Sequence, residues 1–409
     1  MKIIAFIVVF FINAGASATT IHAGANQIYK TITAAVKAAS PGDTVLVDAG
    51  YYLEKKLEIR KTIVLRGINH PVLDGHKKYE VIYVKANGVI IDGFRIIHSG
   101  ISSIEDISGI KVVDSKNVII RNNILEDNFF GIQIQNAINC IIENNKLIAN
   151  SKEEQQSGNG IHCWKGDSLR IIGNNITGHR DGIYFEFVKN SIIWRNTSTN
   201  NLRYGLHFMF SNDDMYVSNV FSNNGSGVSV MYSNRIKMFS NFFEDNWGDA
   251  SHGILLKEIS DGDMQGNYFS KNTTGIFMEG ANRIFMKYNT FENNGWALKI
   301  QASCMDVVLE HNNFIGNTFD VGTNGSLVQN TFNNNYWDKY EGYDLNKDKI
   351  GDIPYRPVSM YSMIVEKYPS AMILFRSFIT TLLDKTEKII PSLTPENLKD
   401  NSPLMKKAF

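Results

Sequence analysis

Glycine returns in this chain at a near-constant interval, and that interval leaves few folds open. In the segments "SGIKVV", "FGIQIQ", "NGIHCW", "DGIYFE", "YGLHFM", "SGVSVM", "HGILLK" and "TGIFME" it falls at Gly109, Gly131, Gly160, Gly182, Gly205, Gly227, Gly253 and Gly275, and Ala297 of "WALKIQ" takes the next slot. The steps are 22, 29, 22, 23, 22, 26, 22 and 22 residues. Self-similarity at a fixed period of this size marks stacked repeats rather than a globule with one core.

A second periodicity rides on the first. Fourteen or fifteen residues after each of these positions comes an asparagine: Asn123, Asn145, Asn174, Asn196, Asn219, Asn241, Asn267, Asn289 and Asn312. Five residues further on a second file reads Asn128, Asn150, His179, Asn201, Asn224, Asn246, Asn272, Asn294 and Asn317. Amides stacked at one phase can bond to each other and to corner backbone from coil to coil. With β-branched strands such as "VIIRN" between Asn/Gly corners, the pattern predicts an all-β, right-handed parallel β-helix with three strands per coil of about 22 residues. The handedness rests on the general crossover preference. No proline lies between Pro71 and Pro354, as a continuous hydrogen-bonded ladder requires.

The ends read differently. Residues 1–18 carry one lysine, an apolar run from Ile3 to Ile12 and the small-x-small Ala16-Ser17-Ala18, and they are expected to be a secretory leader. Residues 19–335 are expected to form the β-helix, opened by a capping helix in "TITAAVKAAS", where Ile32, Ala35, Val36 and Ala39 share one face. Residues 336–358 read as a polar connector. In it Asp344, Asn346, Asp348, Ile350 (through its carbonyl) and Asp352 take positions 1, 3, 5, 7 and 9 of a calcium-loop pattern, with Tyr355 where position 12 needs a glutamate. Residues 359–409 read as a helical tail whose apolar stretch, Ala371 to Leu383, is interrupted by Arg376 and too short to span a bilayer. The tail either caps the solenoid or docks on a membrane partner.

Side chains alternate along a strand. After each glycine the first and third residues are apolar and are expected to point inward; the second and fourth then point out. Down the stack the second positions are Lys111, Gln133, His162, Tyr184, His207, Ser229, Leu255, Phe277 and Lys299, and the fourth are Val113, Gln135, Trp164, Glu186, Met209, Met231, Lys257, Glu279 and Gln301. His207, Met209, Met231, His162 and Glu186 thus share one outward patch, in a groove with Trp164, Tyr184, Leu255 and Phe277. Imidazole and thioether together suit copper, Cu(I) above all. His162 stands two coils from His207, so it must lean in or serve a second position. Insertions at 151–158 and 247–251, both at the corner before the glycine, bracket this patch.

Other features narrow the function. The 41 basic and 41 acidic residues balance, which argues against a nucleic-acid surface. Cys140, Cys163 and Cys304 form no C-x-x-C pair. No phosphate-binding G-x-x-x-x-G-K-[ST] loop is present, so any use of ATP must come from a partner. The competing reading is a polysaccharide lyase or C5-epimerase acting on uronates, for which Lys257, Glu279, Lys299 and Tyr184 would be the carriers. A groove mixing Trp164, Met209, Met231, Leu255 and Phe277 is poorly suited to a polyanion.

The strings "NGIHCWKGD", "GHRDGIYFEF", "NLRYGLHFMFSNDD", "GVSVMYS", "HGILLKEISDGDM", "GIFMEGANR" and "NNYWDKYEGYDLNKDKIGDIPYRPVSMYSMIVEKYPSAM" together resemble the NosD family, over about residues 159–405. That resemblance implies a periplasmic β-helix protein, peripheral to the inner membrane, working with an ABC-type ATPase and a membrane permease. It implies receipt of copper from a lipoprotein chaperone and delivery to apo nitrous oxide reductase, with no enzymatic turnover of its own. It also implies that the tail docks on the permease. The copper ligands themselves are read from strand phase and not from the family.

Overall fold

The computed structural model describes residues 18–102, 106–325, 329–389 and 398–409, so the expected leader lies outside them except for its last residue. Three parallel sheets of 14, 12 and 13 strands run the length of the described chain. The first extends from Thr20–Ala23 to Thr331–Asn333, and the second, which carries the glycine strands, from Leu57–Ile59 to Phe319–Gly322. The third extends from Tyr51–Leu53 to Tyr336–Trp337. The β-helix expected from the period is therefore present. Register follows the repeat: Ile132, Ile161, Ile183, Leu206, Val228 and Ile254 are successive Cα partners, all fully buried.

The first asparagine file is a continuous ladder. Asn196 donates its backbone N–H to Asn219 Oδ1 (2.9 Å), and its Nδ2 bonds to the same oxygen (3.1 Å) and to the Ile171 carbonyl (2.8 Å). Asn219 repeats the pattern onto Asn241 and the Ile193 carbonyl. Just before the ladder residue sits a left-handed corner, as at Asn122 (φ 54°), Arg195 (54°), Ser218 (53°) and His311 (54°). Such a φ is unfavourable for a residue with a Cβ. The amide ladder offsets that cost by satisfying the backbone groups that the corner takes out of the sheets. His311 is one of these corner residues.

The second file is broken. Asn201 to Asn317 form a ladder like the first. Asn150, expected in line, is exposed where the 151–158 insertion leaves the coil. His179 is buried with both ring nitrogens unpartnered, although its backbone N–H still reaches Asn201 Oδ1 at 3.0 Å. Beside this file a column of rings that the glycine phase did not reveal fills the core. Phe221, Phe243, Phe269, Phe291, Phe314 and Trp337 stack at centroid distances of 5.6, 4.7, 4.8, 4.9 and 4.0 Å.

Both described ends are closed. Helix α1 (Ile32–Ala38), N-capped by Thr31, buries Ile32, Ala35 and Val36 over the first coil, and Glu54 accepts the N–H groups of Ile32 and Thr33. At the far end Asp400 takes the next rung of the first ladder. It accepts from Asn335 N (2.9 Å), Asn335 Nδ2 (3.1 Å) and Trp337 Nε1 (3.1 Å). Thus the extended segment around Asp400 and Leu404, not a helix, covers the last coil. The tail's helices, α2 (Met360–Lys367) and α3 (Phe378–Ile389), lie to the side, with Tyr361 and Val365 packed on Trp296 and Phe319.

Two substitutions test the ladder. Asn219→Ala leaves the Asn196 amide and the Ile193 carbonyl unpaired in the interior, and each such group costs about 1–3 kcal/mol; the guanidinium unfolding midpoint should fall accordingly. His179→Asn should stabilise by restoring the missing rung. Burial lowers the His179 pKa from 6.5 to about 4, so between those pH values the unfolded chain binds a proton that the fold refuses. Stability from this site is therefore full above 6.5 and lost as pH falls toward 4, at up to about 1.4 kcal/mol per unit. The midpoint difference between variant and wild type should widen on acidification from pH 7 to pH 4.5.

Candidate metal site on the glycine-strand sheet

The glycines sit at a local irregularity that adds an outward column. Along the pair Asp181–Glu186 and Tyr204–Met209, Asp181 faces Tyr204 and Ile183 faces Leu206, and the glycines between them form no pair of their own. A Cβ on Gly205 would lie 2.7 Å from the Gly227 carbonyl oxygen and 2.9 Å from Asn224 Nδ2, so only glycine fits. The residue before the glycine is thereby turned onto the same outer face as the second position after it. Asp181, Tyr204, Ser226 and His252 form this column, and counting only forward from the glycine missed it.

Around His207 the two columns meet. His207 is 6% exposed although it occupies an outward phase. Tyr184 and Tyr204 flank its ring at centroid distances of 4.9 and 4.8 Å. Asp181, with no exposed surface, holds Arg203 by two bonds of 2.9 and 2.7 Å, and its Oδ2 lies 3.8 Å from His207 Nδ1. Arg203 Nη2 stands 3.4 Å from the same nitrogen. Burial opposes ionisation of Asp181, but His207 facing its carboxylate and the hydrogen bonds and charge of Arg203 outweigh it and hold the pKa below its ordinary value. Burial likewise works against the Arg203 charge, and Asp181 overcomes it. Nδ1 thus faces the Asp181–Arg203 pair, and Nε2 is the ring nitrogen left to reach a ligand. That Nε2 is buried and unpartnered.

The thioethers come next. Met209 and Met231 are direct Cα partners on adjacent coils. Tyr184 Oη lies 3.5 Å from Met209 Sδ while its ring packs on His207, so the two outward files touch through this tyrosine. Burial, then the charges of Glu186 and Asp181, raise the Tyr184 pKa to about 12, so the hydroxyl stays protonated. Glu186 is the register neighbour of Met209 on one side and Trp164 on the other, and Lys165 Nζ stands 4.2 Å from the Trp164 ring centroid.

His162 does not join His207. Tyr184 stands between them, 4.9 Å from each ring. His162 has its own surroundings, Phe130 at 5.3 Å and the charges of Asp106 and Arg180, and burial lowers its pKa to about 4. Leu255 and Phe277 continue the file below Ser229, where Phe277 packs on His252 at 5.2 Å. Beside the methionines, Phe187, Phe210 and Tyr232 form an exposed stack with spacings of 5.2 and 5.1 Å.

Lys257 pairs with Glu279 at 3.3 Å and Lys299 with Glu366 of α2 at 2.7 Å, so the two lysines do not converge on one carboxylate. Cys140, Cys163 and Cys304 are free and buried. In the connector, Asp344 accepts from the amides of Asp348 and Lys349, Asp348 from that of Ile350, Asn346 from that of Asp348, and Asp352 from that of Leu345. These oxygens brace their own turn. Among the described residues no three His, Cys, Asp or Glu side chains gather as a metal-ligating group.

The family model described as "Periplasmic copper-binding protein (NosD)" matches residues 150–342, and one described as "Right handed beta helix region" matches residues 66–176. A "Probable ABC transporter binding protein NosD" of Pseudomonas aeruginosa is 26% identical over 353 residues, 82% of this chain and 82% of the relative. A protein of the same description from Stutzerimonas stutzeri is 30% identical over 112 residues, 27% of this chain and 26% of that relative. Among solved structures, the A-module of the Azotobacter vinelandii mannuronan C-5 epimerase AlgE4 is 18% identical with a TM-score of 0.52, covering 73% of this chain and 88% of that one. PfbA, a surface adhesin of Streptococcus pneumoniae, is 13% identical with a TM-score of 0.54, covering 72% and 87%. At those identities an epimerase and an adhesin share only the fold with this chain. The family match and both relatives agree with the resemblance read from the sequence: this chain is a right-handed parallel β-helix that is similar to the NosD family over residues 150–342.

Proposed function

We propose that this protein binds copper, as Cu(I), on the outer face of its glycine-strand sheet and passes it to apo nitrous oxide reductase during assembly of that enzyme's metal centres. The observation that carries the reading is the buried, unpartnered Nε2 of His207, set with Asp181 at its other nitrogen and joined through Tyr184 to the sulfur of Met209. His207 and Met209 are the primary ligands in this account. Met231, one coil on at a strand spacing of about 4.8 Å, is the next sulfur along the axis. His162 serves a separate upstream position, and Glu186 sits at the rim of the site.

The chemistry fits transfer. Cu(I) accepts few, soft ligands, and a site of one imidazole and one or two flexible thioethers can lose them one at a time to a partner. Asp181 and Arg203 face Nδ1 and fix the orientation of the ring, and the Tyr184 hydroxyl, held protonated, brings no competing negative charge. In this reading the protein works in the periplasm as the accessory subunit of an ABC-type complex. An ATPase and a permease supply the energy, and a copper lipoprotein supplies the ion. It turns over nothing itself. Uronate chemistry would require free cations on the groove, and Lys257 and Lys299 are each held by a glutamate.

Anaerobic Cu(I) titration of the purified protein against a competing chelator tests this. Wild type should take up copper stoichiometrically. His207→Ala/Met209→Ala/Met231→Ala, with an unchanged thermal melt, should lose it, and Asp181→Asn should weaken affinity by about 10–100-fold, the usual effect of removing a partner behind a ligating histidine. Equal affinity in wild type and the triple variant would sink the assignment.

A further inference from the structure

The tail has two faces, and only one is used. On the inner side Tyr361, Val365, Ala371 and Leu383 pack with Trp296 and Phe319 at the end of the glycine-strand sheet, Thr380 is buried, and Glu366 pairs with Lys299. Tyr361 Oη also bonds to the Ala371 carbonyl at 2.9 Å. The tail is therefore fixed to the solenoid. On the outer side Tyr368, Ile373, Phe378, Ile379 and Leu382 are exposed, Ile373 by 89% and Phe378 by 81%. Phe378, Ile379 and Leu382 share one face of α3. Contiguous exposed apolar surface of this kind marks a contact site.

Charge identifies the occupant. The cations on this side are exposed: Lys367 lies 5.5 Å from the Tyr368 ring centroid, Arg376 5.3 Å from that of Phe375, and Lys385 is exposed on α3. Among the described side chains the acids turn inward, Glu366 to Lys299 and Glu387 to the Met360 amide at 2.9 Å. Apolar residues with bulky aromatics, rimmed by cations and mounted on helices too short to cross, are the pattern of a segment that lies in the interface of an anionic bilayer. No helix among the described residues is long and apolar enough to span one.

We infer that the outer face of 368–382 inserts directly into the headgroup layer of an anionic membrane, holding the β-helix at the lipid surface without needing a protein receptor. This rests on the tail alone and stands or falls separately from the copper reading.

The test is flotation of the secreted chain, residues 19–409, with vesicles of phosphatidylglycerol and phosphatidylethanolamine, against vesicles of phosphatidylcholine alone. Binding to the anionic vesicles that weakens with added salt, and falls at least about five-fold in Ile373→Glu/Phe378→Glu, supports the inference. The melting temperature of that variant should match wild type, since neither side chain is buried. Three results would overturn it: no flotation with either vesicle, equal flotation of the double variant, or flotation only when the vesicles carry the permease.

Discussion

Everything in this molecule depends on parallel stacking in register. A coil cannot slip against its neighbour without breaking the backbone bonds of three sheets and the amide ladder at once. A residue's position in the repeat therefore becomes a fixed place on an outer column. This is how Met209 and Met231, 22 residues apart in sequence, become direct neighbours, and how Asp181 arrives beside Arg203 and His207. The asparagines matter because they pay for the left-handed corners that let each coil close.

The glycine column shows what the sequence made legible and what it hid. Its period revealed the fold, the inward and outward alternation and the methionine pair, because all of these follow from counting. The break in side-chain alternation at each glycine was invisible to that counting. Asp181, Tyr204 and His252 stand immediately before glycines in "RDGIY", "RYGLH" and "SHGIL", and that position would have found them had the extra outward column been foreseen. For His162 counting left two alternatives, leaning toward His207 or serving a second position, for a related reason. Strand spacing counts coils but not the bulk of what lies between, and Tyr184 fills that space with its ring.

Burial of the outward face was the other surprise, and it has a plain cause. An imidazole on an ordinary solenoid surface would be solvated, but here Tyr184, Tyr204 and the Asp181–Arg203 pair crowd His207 until almost none of it is exposed. Low local dielectric strengthens the Asp181 interaction and raises the cost of leaving Nε2 unpaired. Similar logic separates the two ends of the tail. Asp400 could be placed only by three-dimensional return of the chain, since nothing in "LKDNSPLM" signals an asparagine-ladder rung, whereas the apolar character of Ala371 to Leu383 was plain in the sequence. What the sequence left open was which side of that stretch faces the solenoid.

The central claim is that sulfur from methionine and one imidazole nitrogen hold copper on this face. X-ray absorption at the copper edge of protein loaded anaerobically with one equivalent of Cu(I) addresses it most directly. The account predicts a low-coordinate Cu(I) spectrum with both sulfur and imidazole scattering, the imidazole contribution vanishing in His207→Ala and the sulfur contribution diminishing in Met209→Ala. A spectrum with nitrogen and oxygen scatterers only, or one unchanged by either substitution, would place the copper elsewhere and contradict it.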